Sequence, residues 1–229
     1  MATQITWHGH SNMQVTSGGL SVLVDPFFFG NPVCGYEWNE APAPDVVLVT
    51  HDHGDHVGDA VDICRGSKAV CCCVYDTAQV LVNQGLPVNR LAAAFNMGGT
   101  VTVRGAAITM TPASHTSESG APAGYVVRMP DAFTFYHAGD TALFGDMALI
   151  GEYHELDVAL LPIGGMYTMD PKQAVHACRL LRPKQVIPMH YGTFPQLIQR
   201  PDAFVALMAE QLPDIAVRVM RPGQTLTID

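Results

Sequence analysis

Val46-Val47-Leu48-Val49 is an unbroken apolar run, and one residue beyond it the chain reads HDHGDH, residues 51–56. A short β-branched run of this kind reads as a buried strand. Its polar end constrains the chain more than any other feature. On an extended strand end His51 and His53 point to the same side, two residues apart. Imidazoles placed so can share one metal ion. Asp55 and His56 follow a glycine turn and can face a second site. Two cations about 3.5–4 Å apart can bind one water and lower its pKa toward 7. Asp52 alternates away from these ligands and is expected as a solvated or capping carboxylate, and Asp52 and Asp59 are expected at the surface. Four side chains cannot fill two metal sites, so further His and Asp ligands must come from elsewhere.

Strand-like runs recur along the whole chain of 229 residues, at 5–9, 13–17, 20–25, 46–50, 69–74, 100–104, 107–112, 124–129, 133–137, 157–162, 185–189, 216–220 and 225–229. SGG at 17–19 and RGA at 104–106 read as hairpin turns. Helices are fewer. Asp170 is a candidate N-cap before Pro171, and Ala174, Ala177, Cys178 and Leu181 repeat at helical spacing. Residues 201–212 carry Phe204, Leu207 and Met208 in the same way, and 56–65 and 76–85 are expected to be helical. This balance favours helices packed outside two sheets over a doubly wound parallel sheet. Asp45-Val-Val-Leu-Val and Asp157-Val-Ala-Leu-Leu form a faint internal echo, each ending in a glycine-containing loop. Residues 25–44, rich in Phe, Tyr, Trp, Gly and Pro, read as a long ordered loop.

The length suits a single domain spanning 1–229. A net charge of −9 with no Lys/Arg cluster argues against a nucleic-acid partner. No apolar run approaches the roughly 20 residues that span a bilayer. MATQITWHGH has no basic start and no apolar stretch of a signal peptide. The six cysteines include no CxxC pair, and neighbours in AVCCCV point to opposite faces, so they read as small buried hydrophobes in a reducing cytoplasm.

HDHGDH matches the HxHxDH signature of the metallo-β-lactamase superfamily, and SHT, HAGDT and PMHYG follow in the expected order. With WHGHS near the start, DPF at 25–27, GGMYTM at 164–169 and MHYGTFP at 189–195, the chain resembles small metal-dependent hydrolases related to the ascorbate-6-phosphate lactonases over nearly its whole length. The resemblance implies an α+β fold, a four-layer αββα sandwich of two mixed sheets with the site on one edge. It implies that His51, His53 and His115 hold a first metal, that Asp55, His56 and His190 hold a second, and that Asp140 bridges them. Asp25 would support the site from behind, or else make an Asx turn before Pro26. His10 would take a supporting or substrate role; the directions of His8 and His137 are open, and His154 and His176 read as surface residues. Tyr167 and Tyr191 are candidate oxyanion stabilisers, and Gly164-Gly165 permits close backbone approach to a substrate anion.

The implied activity is binuclear hydrolysis by a metal-bridging hydroxide, with Asp55 also shuttling a proton, on a lactone or other ester of a small molecule. Zinc or manganese fits the donor set, and iron also serves. A phosphodiesterase of the same fold would need cationic groups near the metals, and Arg128, Lys172 and Arg200 have no place from sequence alone. A non-catalytic metal-binding relative is the third reading. Aromatic residues 27–38 suit either a lid or the interface of a homo-oligomer.

Overall fold

The computed structural model describes residues 2–228. Two seven-stranded sheets face each other. The first runs β14 (Gln224–Ile228), β1 (Thr3–Gly9), β2 (Asn12–Ser17), β3 (Leu20–Val24), β4 (Val46–Leu48), β5 (Val70–Val74) and β6 (Leu91–Phe95). The second runs β13 (Ala216–Val217), β12 (Gln185–Met189), β11 (Val158–Pro162), β10 (Thr134–His137), β9 (Ala123–Arg128), β8 (Ala106–Pro112) and β7 (Thr100–Val103). Helices α2 (Ala60–Gly66) and α3 (Tyr75–Asn83) cover the first sheet, while α4 (Met147–Tyr153), α5 (Pro171–Leu181) and α6 (Asp202–Gln211) belong to the second half. The expected αββα layering is what forms.

Side-chain alternation fixes the layers. Val46 and Leu48 enter the core between the sheets, while Val47 and Val49 pack with Ile63, Ala78 and Leu81 on the helical side. The cysteines obey the same period: Cys72 faces the inter-sheet core, and Cys71 and Cys73 face the helices. All six thiols are free.

The echo between Asp45 and Asp157 is structural. β3 pairs antiparallel with β2 and parallel with β4, and β10 stands likewise between β9 and β11. The Asp45 carboxylate accepts from Ser21 N (3.0 Å), and that of Asp157 accepts from Thr134 N (2.8 Å). Each acid thus ties the start of the central parallel strand to its neighbour.

Several local expectations need correction. Residues 56–65 are not one helix. A short turn, α1 (Gly54–Val57), breaks at Gly58, whose φ of +42° brings it against Pro26, and Asp59 N donates to Pro26 O at 2.9 Å. β6 and α4 lack clear sequence signals. LAAAF has few β-branched residues, and pairing with β5 makes it a strand. Gly151 interrupts the pattern of α4 because a Cβ there would lie 2.5 Å from Leu181 O. The hairpins at 18–19 and 104–105 form with positive φ at both central residues.

Candidate metal centre

The polar cluster lies at the carboxyl ends of the parallel strands. Asp25 follows β3 directly, is fully buried and has φ +50°. Its Oδ1 accepts from Thr50 N (2.8 Å), and its Oδ2 accepts from Thr50 Oγ1 (2.8 Å) and His56 Nδ1 (2.7 Å). Having given its proton to Asp25, the Thr50 hydroxyl can only accept from His51 Nδ1, 3.0 Å away. One carboxylate therefore fixes two histidine tautomers and turns both Nε2 lone pairs toward the site. Asp25 is no mere Asx turn.

Asp140 sits where the two halves meet. Its Oδ2 lies 2.9 Å from His190 Nε2, 3.4 Å from His56 Nε2 and 3.6 Å from His115 Nε2. His51 Nε2 and His53 Nδ1 are 2.9 Å apart. Two imidazole nitrogens at that distance share either one proton or one cation. One donor atom each from His51, His53 and His115 falls within 4.8 Å of the others, as do those of Asp55, His56, His190 and His10; His51, His56 and Asp140 form a third such group.

The donors fit divalent metal. His56 Nε2 and Asp140 Oδ1 are buried and make no hydrogen bond among the described residues, though each is a strong polar atom. Burial holds His51 down to about 2 and His10 to about 4, so both rings stay neutral; burial also lowers His115. Neutral imidazole is the ligating form. Burial opposes charge on His56 too, yet the facing carboxylates of Asp140 and Asp25 raise it well above the ordinary range. Asp140 is likewise penalised by burial but held well below the usual carboxylate range by His56 and His190. The carboxylates are thus arranged for positive charge at the place where the orphaned atoms converge.

A cavity of about 360 Å³ opens beside these groups and is lined by His53, Asp55, His115, Asp140, His190 and Tyr167, with Thr116, Phe194 and Gln196 as its further wall. Asp55 reaches it with a partly exposed carboxylate. Tyr167 is half exposed there. Tyr191 requires correction. It is buried, its ring packs 5.2 Å from that of Trp7, and its hydroxyl donates to Met220 O at 3.5 Å, so it faces the core rather than substrate. His10 also lies off the cavity wall. It is fully buried behind Asp55, with Nε2 3.1 Å from Asp55 Oδ2 and Nδ1 3.1 Å from Thr193 Oγ1. Of the two roles expected for it, this placement favours support of Asp55 over contact with substrate.

Other residues fall out of the site or into it. His8 bonds Tyr36 and Gln14, and His137 donates to Ser11 O (2.9 Å) and accepts from Gly139 N, so both brace loops. His176 is exposed and His154 half-buried. Asp52 and Asp59 are not idle surface groups. Asp52 accepts from Ser117 Oγ (2.6 Å) and Glu118 N (2.7 Å), tying down the loop that carries His115. Asp59 accepts from Phe28 N and Phe29 N, tying the aromatic loop to the start of α2. Gly164 serves His190 rather than a substrate anion, since a Cβ there would lie 2.4 Å from His190 O and 2.8 Å from its Nδ1. Thr50 was missed. Its only sequence signal is its place between the strand and His51.

The family model described as the beta-lactamase superfamily domain matches residues 21–191. A UPF0173 metal-dependent hydrolase of Nitratidesulfovibrio vulgaris is 57% identical, covering 100% of this chain and 97% of its own. Another from Methanopyrus kandleri is 45% identical over 97% of this chain and 98% of its own. Among solved structures, the metallo hydrolase Igni18 of Ignicoccus hospitalis superposes with a TM-score of 0.90 at 37% identity, covering 100% of this chain and 99% of that one. The metallo-beta-lactamase fold protein YhfI of Bacillus subtilis shares the fold at a TM-score of 0.76 and 14% identity, with both chains covered completely, 100% each.

Proposed function

Because this chain belongs to the metal-dependent hydrolases of the beta-lactamase superfamily, we propose that it holds two divalent cations side by side and hydrolyses an ester or lactone bond of a small molecule. The observation that carries this reading is the buried, orphaned oxygen of Asp140 between two sets of donors, His51, His53 and His115 on one side and Asp55, His56 and His190 on the other. Seven nitrogen and oxygen donors without a thiolate suit zinc or manganese, and iron equally by donor type. When bound, such a pair supplies Lewis acidity and a water acidic enough to lose its proton near neutral pH.

The chain's own groups do the rest. Asp25 and Thr50 hold His56 and His51 in the tautomers that ligate. Asp55 faces the cavity, and His10 behind it gives an Nε2–H to Oδ2 in the tautomer in which the Thr193 hydroxyl donates to its Nδ1. That bond steadies the carboxylate, and its other oxygen can take a proton and return it to a leaving oxygen. Tyr167, half exposed on the wall, can donate its hydroxyl to the oxygen that gains charge. Asp52 keeps His115 on station through Ser117 and Glu118. We assign this work to the cytoplasm, where the six free thiols remain reduced. No helix among the described residues is long and apolar enough to cross a membrane.

Metal analysis of the full chain purified without chelator tests the reading, with turnover of simple esters and lactones measured on the same samples. The expected content is two ions per chain, falling in both His53→Ala and Asp140→Ala along with activity. Unchanged content in both variants would sink the site assignment.

A further inference from the structure

The cavity beside the metal centre is lined by two carboxylates, three histidines and a wall of Thr116, Tyr167, Phe194 and Gln196. None of the chain's twelve lysines and arginines lines it. Arg104 binds Asp45 and Lys68 O, Lys184 binds Asp157, and Arg218 binds Gln185, all at the amino ends of the parallel strands, across the sheets from the site. Arg128, at the end of β9, pairs with Thr134 at that same far edge. Arg200 is mostly exposed and paired with Asp202.

The wall is apolar where it is most fixed. Phe194 rests on His10 and Phe27, with ring centroids 5.3 and 6.5 Å apart. Its loop is bonded to the loop of Tyr167 through Ile198 N to Gly164 O (3.0 Å) and closes on itself through Gly192 N to Ile198 O (2.8 Å). Two aromatic side chains therefore line one cavity from loops that a backbone hydrogen bond joins. Gln196 and Thr116 add neutral polar groups.

Resting on the hydrolase reading above, we infer that the substrate is an uncharged ester or lactone with an apolar flank seated on Phe194 and Tyr167, and that a second anionic group on the substrate is rejected. The cations of the site neutralise the reacting oxygen. A phosphate, sulfonate or carboxylate elsewhere on the molecule would give up water and find, beyond the residues that hold the cations, only Thr116, Tyr167, Phe194 and Gln196, none of which carries a positive charge. This disfavours sugar-phosphate lactones, whose phosphate lies away from the reacting bond. The cavity, about 360 Å³, is at the small end of the roughly 300–1,000 Å³ typical of ligand sites, which fits one compact ring or a short acyl group.

The test is calorimetric binding of two matched hydroxamates to the metal-loaded full chain, benzohydroxamate and its para-sulfonated counterpart, with ester turnover measured in parallel. The unsulfonated probe is expected to bind at least about tenfold more tightly, the scale set by one buried ring against one unpaired charge. Phe194→Ala should weaken it about tenfold, and Gln196→Lys should narrow the gap by tightening the sulfonated probe. Equal or tighter binding of the sulfonated probe, binding of neither probe, or no effect of Phe194→Ala would overturn the inference. If the preference holds while neither charged nor uncharged esters turn over, the wall has the selectivity inferred and the hydrolysis reading is what fails.

Discussion

Asp25→Asn separates the support of the centre from the centre itself. Asparagine tolerates the left-handed backbone that Asp25 adopts at φ +50°, so the exchange adds little backbone strain. Its carbonyl oxygen can still accept from Thr50 N. Its amide then stands where Oδ2 accepted from Thr50 Oγ1 and His56 Nδ1 at 2.8 and 2.7 Å. Two donors now meet at His56. The ring answers by becoming the Nε2–H tautomer, which puts a proton on the atom that should ligate. His51 is affected less directly, because it meets Asp25 only through the Thr50 hydroxyl, which loses its acceptor but keeps a lone pair for His51 Nδ1. Loss of a carboxylate behind a ligating histidine costs about 10–100-fold in metal affinity, or roughly 1.4–2.8 kcal/mol. Leaving a buried donor unpaired costs about 1–3 kcal/mol in stability. Titration against a chelating indicator should therefore show one ion of the proposed pair lost or weakened by that factor and the other held nearly as before. Circular dichroism in the presence of excess metal checks that the variant is folded. Equal weakening of both ions in a folded variant, or unchanged affinity for both, would refute the tautomer argument.

Other perturbations follow from the same contacts. Gly164→Ala would put a Cβ 2.4 Å from His190 O, so one metal should be lost with little change in far-ultraviolet circular dichroism, as read by metal content. Asp59→Ala unties Phe28 N and Phe29 N and should cost about 1–3 kcal/mol in urea unfolding, with faster proteolysis inside residues 25–44. Asp52→Ala should lower activity more than stability, because its partners lie in the loop of His115 rather than in the core. His8 is held by burial at about 4, below its ordinary 6.5, so it contributes stability above pH 6.5 that is lost as pH falls toward 4. His8→Gln should make that acid slope shallower by up to one proton in denaturant titrations; an unchanged slope would show that His8 stays neutral in the unfolded comparison or charges without cost.

The parts of this chain that could be read from sequence are those whose signals are local. Strands of the inter-sheet core alternate or run apolar, α5 announces its cap at Asp170 and its face at Ala174, Ala177, Cys178 and Leu181, and both glycine hairpins form where turn chemistry puts them. The histidines gather for the same reason, since their spacing on a strand end carries the geometry. What stayed hidden depends on partners far away in the chain. Tyr191 follows His190 directly, but His190 lies in the left-handed region at φ +56°, and the chain's turn there sends Tyr191 to Trp7 and away from the cavity. Asp52 and Asp59 look like solvent groups until Ser117 and Phe28 arrive, 65 and 31 residues distant. Helix 56–65 fails because Pro26 needs Gly58 within contact.

The doubled scaffold explains where the site is but not which half supplies it. β3–β4 and β10–β11 are equivalent junctions, each tied at its start by Asp45 or Asp157. Each is followed at its other end by a buried acid, Asp25 after β3 and Asp140 after β10. The two acids then diverge. Asp25 spends both oxygens on Thr50 and His56, whereas Asp140 keeps Oδ1 unpaired. The loop after β4 carries two histidines, and its counterpart after β11 carries Gly164, which gives way to His190. A symmetric pair of junctions would offer two equal sites or none. On the ligand set proposed above, the first junction uses its acid as a brace and its loop histidines as donors, while the second uses its acid as a donor and its glycine as room for His190, so one centre would form, between them.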